Sequence, residues 1–161
     1  MEMLIIDNAV LKLSKEHKLI SDYAVRFSKN IKNPDSAFMD DLKTFLSFLQ
    51  KDLKEHFRLE ELVFFPAALN GAPSYETSLL VLNLQKEHGI LEMRVKAVRT
   101  AEKRLKESKD RDKVLREIAD FLEMLKNHAR IEVRELFPMI DADEKCMALL
   151  KQYAADVPSG K

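Results

Sequence analysis

The chain has 161 residues, 46% hydrophobic and 34% charged, which suits one helical domain around a single core rather than a disordered chain. Its 27 basic and 27 acidic side chains cancel, so no overall field draws it to nucleic acid or anionic lipid, and no apolar run approaches the roughly 20 residues that span a bilayer. Cys146 stands alone, which excludes an internal disulfide and suits a reducing compartment; the stretch from Met1 to Asp7 is too short and acidic for a signal peptide, so a cytoplasmic protein is expected.

Helical punctuation divides the chain into four long segments and a tail. The first helix is expected over 7–31 and stops at Asn33-Pro34-Asp35, where Pro disfavours helix before it and Asp can cap the next helix. The second, 36–69, ends at Asn70-Gly71-Ala72-Pro73-Ser74, the clearest loop in the chain. The third, 74–107, ends in the polar turn Ser108-Lys109-Asp110-Arg111-Asp112. The fourth, 111–140, runs to Asp141-Ala142-Asp143 and a short final helix over 143–155, with Gly160 in the tail. Strand patterns are absent. Short connections between long helices predict an all-α fold, an antiparallel up-down-up-down four-helix bundle over about 7–140 with a short C-terminal helix. Residues 1–161 then form a single domain.

Apolar stripes at helical spacing show which face of each helix is inward. They are Val10, Leu13, Ile20, Ala24 and Phe27 in the first, and Leu42, Phe45, Leu46, Leu49, Leu53, Val63 and Phe64 in the second. Leu84, Leu91, Val95 and Val98 form the third, and Val114, Ile118, Phe121, Leu125 and Leu136 the fourth. All four histidines of the chain sit on these stripes. His56 and Glu60 repeat as His128 and Glu132, 72 residues later, and Lys15-Glu16-His17 repeats as Lys86-Glu87-His88, 71 residues later. Phe65-Pro66 and Phe137-Pro138 follow the two His-x-x-x-Glu units. Distances from the connecting turns bring all four rings to one level of an antiparallel bundle. Six polar side chains then converge on one layer of an apolar core, and that is costly unless a partner satisfies them.

A cation pair is the partner that fits. At i and i+4 each His and its Glu share a helix face one turn apart. His17 and His56 fall to one ion, His88 and His128 to the other, and Glu60 and Glu132 bridge both. Imidazole and carboxylate without thiolate argue against a closed structural zinc site and leave positions open for small ligands. Two Fe ions bridged also by an oxo or hydroxo group fit best, with Zn or Mn pairs as alternatives. Phe57, Phe64 and Phe121 lie near this layer and are expected to pack there. Glu16 and Glu87, beside the lone histidines, are expected at the solvated surface. Pro66 and Pro138 are expected to end or kink their helices. The basic run from Arg94 to Lys106, interleaved with Glu92, Glu102 and Glu107, is expected to be a solvated face.

The order His17, His56-x-x-x-Glu60, His88, His128-x-x-x-Glu132, with a Phe-Pro after each half, resembles the hemerythrin-like (HHE) cation-binding domain over roughly residues 7–140. The resemblance implies a four-helix bundle with a non-haem di-iron centre on His17, His56, Glu60, His88, His128 and Glu132. Oxygen-carrying hemerythrins have a fifth histidine four residues after the third. Glu92 stands there, a seventh candidate ligand. With Glu132 four residues after His128, the pattern is similar to the four-His, two-Glu branch, which includes di-iron proteins of iron–sulfur cluster repair and nitric oxide response. The resemblance implies a protein that binds or senses O2 or NO, or holds releasable iron. The alternative is a di-iron oxidoreductase acting on peroxide or NO or delivering iron to damaged clusters, and a dizinc structural domain stands behind both.

Overall fold

A computed structural model describes residues 2–107 and 110–157, with side chains from residue 11 onward. The Val10 side chain, Ser108 and Gly160 of the sequence reading lie outside that description. Among the described residues there is no strand, and no helix is long and apolar enough to cross a membrane.

Helix α1 spans Glu2–Asn30, five residues ahead of the expected start, because nothing between Glu2 and Asp7 interrupts a helix. α2 (Ser36–Leu59) begins where the Asp35 carboxylate accepts from the Phe38 N–H at 2.9 Å. It widens into a π-helical turn, Glu60–Phe64, and continues as α3 (Phe65–Gly71). α4 (Tyr75–Val98) is capped by Ser74, whose hydroxyl accepts from the Thr77 N–H at 3.0 Å. α5 comes next over Ala101–Glu107. α6 (Arg111–Ile131) passes through a second π turn, Glu132–Leu136, into α7 (Phe137–Asp141), and α8 (Glu144–Asp156) closes the chain.

Two departures from the sequence reading have local causes. The third expected helix breaks at Arg99-Thr100, where the Thr100 hydroxyl donates to the Ala97 carbonyl at 3.1 Å and competes for an acceptor of the helical ladder. Pro66 and Pro138 neither end nor sharply break their helices. Proline lacks an N–H and its ring strikes the carbonyl four residues back, here that of Leu62 or Arg134. Just before each proline the ladder has widened, with the Phe65 N–H bonded to the Glu60 carbonyl and the Phe137 N–H to that of Glu132. The widened turn absorbs the proline, and each begins at one of the two repeated glutamates.

The four long helices pack in a ring, α1 on α2, α2 on α4, α4 on α6 and α6 back on α1, while α8 covers one end against α1, α3 and α7. The expected stripes face inward: Leu13, Ile20, Leu42, Leu53, Leu84, Leu91, Ile118, Leu125 and Leu136 are all at most 2% exposed. The core has two apolar clusters. One runs from Ile20 and Phe27 through Phe45, Leu53, Leu91 and Ile118, and the other from Leu13 through Phe64, Val81 and Ile140 to α8. Along α1, His17 falls between the two, after Leu13 and before Ile20.

Gly71 shows how tightly α8 docks. A Cβ there would lie 2.6 Å from Cys146 Sγ and 2.7 Å from its Cα, so the backbones of α3 and α8 approach across a site that only glycine leaves open. Gly71→Ala is expected to lower stability by about 1–3 kcal/mol, the usual range for overpacking. In a chain of this size that lowers Tm by roughly 2–4 °C per kcal/mol, readable by thermal denaturation. Cys146 is fully buried, and burial pushes its thiol up to about 11, which keeps it protonated and unreactive at neutral pH.

Candidate metal centre

Each long helix contributes one imidazole: His17 from α1, His56 from α2, His88 from α4 and His128 from α6. Glu60 and Glu132 open the two π turns one helical turn beyond His56 and His128, so both carboxylates lie on the inward face. Five of the six are at most 1% exposed, and His17 is 8% exposed.

The six side chains fall into two groups, His17, His56, Glu60 and Glu132, and Glu60, His88, His128 and Glu132, with candidate ligand atoms within 4.8 Å of one another in each. These groups coincide with the pairing read from the duplicated sequence, and both glutamates belong to both. Glu60 turns Oε1 to His56 Nε2 at 2.6 Å and Oε2 to His88 Nε2 at 3.8 Å. Glu132 Oε1 lies 3.4 Å from His17 Nε2 and 3.3 Å from His128 Nε2. All four Nε2 atoms therefore point into one space.

Close as they are, His17 Nε2 and all four carboxylate oxygens of Glu60 and Glu132 are buried without a well-aligned hydrogen bond. His88 Nε2 and His128 Nε2 are 2.9 Å apart. Two ligands at about 2.1 Å from one ion, at right angles, would be roughly 3 Å apart. The donor set thus fits cations, whereas a dry core would leave buried charge uncompensated.

Outside this space a second ring of carboxylates holds the imidazoles. Glu61 Oε1 lies 3.0 Å from His88 Nδ1, Glu87 Oε2 is 3.3 Å from His128 Nδ1, and Glu16 Oε1 is 3.5 Å from His56 Nδ1. Such contacts fix the ring so that Nε2 presents its lone pair, and they raise ligand basicity. Glu16 and Glu87 correct the surface role expected for them: each reaches the histidine of a neighbouring helix instead of the one beside it in sequence. Glu61 was not singled out from the sequence; its only signal is adjacency to Glu60. Glu92 is exposed and lies outside both groups, near enough to Glu61 to help raise that carboxyl after burial has done so. Neither His17 Nδ1 nor His56 Nδ1 has an aligned hydrogen-bond partner.

Aromatic rings pack against the imidazoles. Phe57 stacks on His88 with centroids 3.9 Å apart, Phe65 stacks on the same imidazole at 5.3 Å, and Phe137 stacks on His17 at 5.6 Å. A pocket of about 600 Å³, lined largely by Leu13, Phe64, Val133, Phe137, Met147 and Leu150, reaches His17.

The charges divide unevenly. Burial, helped by His56, pulls His17 down to about 4, and burial likewise pulls His88 down to about 3 against the pull of Glu60. Burial would lower His56 too, but the carboxylates of Glu16 and Glu60 outweigh it and raise it to about 9. In turn His56, with weaker help from His88 and His128, holds Glu60 below the usual carboxylate range despite its burial. At neutral pH His17 and His88 are neutral, while His56 carries a proton that a cation must displace. Because the His56 value is raised, that proton stays bound, and competes, at every pH below about 9. Metal affinity is expected to rise about tenfold per pH unit between roughly 6.5 and 8.5 from this one proton. Chelator competition at fixed pH values measures it, and a flat profile would contradict the assignment.

A helical protein with a buried His/Glu cluster built to hold cations is the class that this geometry defines. The family model of the hemerythrin HHE cation-binding domain matches residues 8–140, and the chain belongs to that family. A search of the curated proteins and of the solved structures returned no match. The family match ends before α8.

Proposed function

We propose that this is a non-haem di-iron protein that binds or senses a small diatomic molecule, O2 or NO. One observation carries the reading: two four-residue groups from four helices share Glu60 and Glu132. His17 and His56 would hold one ion, His88 and His128 the other, and the two glutamates both. Nitrogen and carboxylate donors without thiolate favour iron over a closed structural zinc site. When bound, an iron pair supplies redox-active centres with coordination positions left open for a small ligand.

The chain's own residues prepare that site. Glu16, Glu61 and Glu87 hold the imidazole rings, and Phe57, Phe65 and Phe137 keep water from them. The apolar pocket beside His17 suits a diatomic molecule that carries no charge. Residues 1–161 form one domain, with α1, α2, α4 and α6 running alternately up and down, placed in the cytoplasm.

The test is the visible spectrum of iron-loaded protein under O2 or NO. A spectral change that reverses when the gas is removed supports binding. Catalytic consumption of NO or H2O2 would move the assignment to an oxidoreductase, and an unchanged spectrum would sink it.

A further inference from the structure

The duplicated halves differ at several positions beside the metal layer, Phe57 against Ala129 among them, and one of these differences removes a carboxylate. The 72-residue offset that carries His56 to His128 and Glu60 to Glu132 carries Glu61 to Val133. Glu61 grips His88 Nδ1 at 3.0 Å. Val133 lies beside His17, lining the same two clefts, and offers no acceptor, so His17 Nδ1 stays unpartnered. The smaller cleft, about 250 Å³, places Lys126, Arg130 and Arg134 around that edge, where a carboxylate would be needed. Both imidazoles of the His88/His128 group therefore have an outer carboxylate within hydrogen-bond reach, through Glu61 and Glu87, while in the other group His56 Nδ1 meets Glu16 only at 3.5 Å without an aligned hydrogen bond and His17 Nδ1 meets no carboxylate. His17 is also the histidine that meets the larger pocket, and it is 8% exposed against 1% for the others.

We propose that the two metal positions are unequal: the His88/His128 position is retained, and the His17/His56 position is the exchangeable one. The inference rests on the two-metal reading above. Its cause is the replacement of a carboxylate by Val133 in the second half. An outer carboxylate orients the ring and strengthens its nitrogen as a donor, and losing such a partner typically weakens metal binding 10–100-fold. His17 lacks that partner and borders a route by which an ion can leave.

Iron-loaded protein mixed with excess ferrous chelator under reducing conditions reports on this directly. Release is expected in two phases of one ion per chain each, with rates at least about tenfold apart. His17→Ala should abolish the fast phase and keep one slowly released ion. Glu61→Val makes the halves alike at this position and should accelerate the slow phase towards the fast one, while Val133→Glu should slow the fast phase. Both positions are partly exposed, Glu61 at 36% and Val133 at 50%, so both variants should fold, and circular dichroism of the metal-free forms checks this. Two ions leaving in a single phase, or a slow phase unmoved by Glu61→Val, would overturn the inequality and leave the two-metal reading standing. Protein that takes up no iron under any loading condition would overturn both.

Discussion

Glu132→Gln is expected to lose both ions, whereas His17→Ala loses one. The difference arises from the shared position of the carboxylate: Glu132 belongs to both four-residue groups, with Oε1 3.4 Å from His17 Nε2 and 3.3 Å from His128 Nε2. Replacing a carboxylate by an amide keeps the volume but removes the negative charge that offsets two cations. The cost per ion should exceed the roughly 100-fold upper range seen when only an outer partner is removed. Glu60→Gln should behave alike, because its two oxygens are turned to the two groups separately. A folding failure would be distinguishable. Glu132 is 0% exposed and its oxygens have no hydrogen-bond partner, so an amide of the same volume breaks no aligned contact. The metal-free variant should melt at or above the metal-free parent. Metal content by elemental analysis beside thermal denaturation reads both, and a Glu132→Gln protein that keeps two ions would refute the sharing.

Removing metal from the parent should have the second large effect. Six buried polar side chains lie between two apolar clusters, and without cations only imperfect His–Glu contacts satisfy them. A ligand that binds only the folded state stabilises it by about 4 kcal/mol when present at 1,000 times its dissociation constant. For a chain of this length each kcal/mol is worth roughly 2–4 °C in Tm. Chelation is therefore expected to lower Tm by about 10–15 °C, and restoring iron should recover it. His56→Ala and His128→Ala, having lost ligands, should show a much smaller chelator effect. An unchanged Tm in the parent would mean that the layer is stable dry.

What the sequence made legible is what helical periodicity alone decides. His56 and Glu60, four residues apart on an apolar stripe, must share a face, and their recurrence at 128 and 132 places a second pair opposite. The stripe residues from Leu13 to Leu136 needed only the same periodicity. Less legible were features that depend on how neighbouring helices cross. Glu16 and Glu87 point about 100° away from His17 and His88, which suggested solvent; only the position of the adjacent helix shows that each reaches the next imidazole. The two π turns accompany prolines whose effect could have been a stop, a kink or a widened turn. The break at Thr100 turns on one hydroxyl choosing the Ala97 carbonyl. Docking of α8 through Gly71 and Cys146 leaves no periodic trace at all.

Anomalous diffraction at the iron edge from crystals of iron-loaded protein tests the central assignment most directly. Two peaks are expected within the histidine layer, one between His17 and His56 and one between His88 and His128, with Glu60 and Glu132 reaching both. A layer without anomalous density, or iron bound only at surface carboxylates, would contradict it.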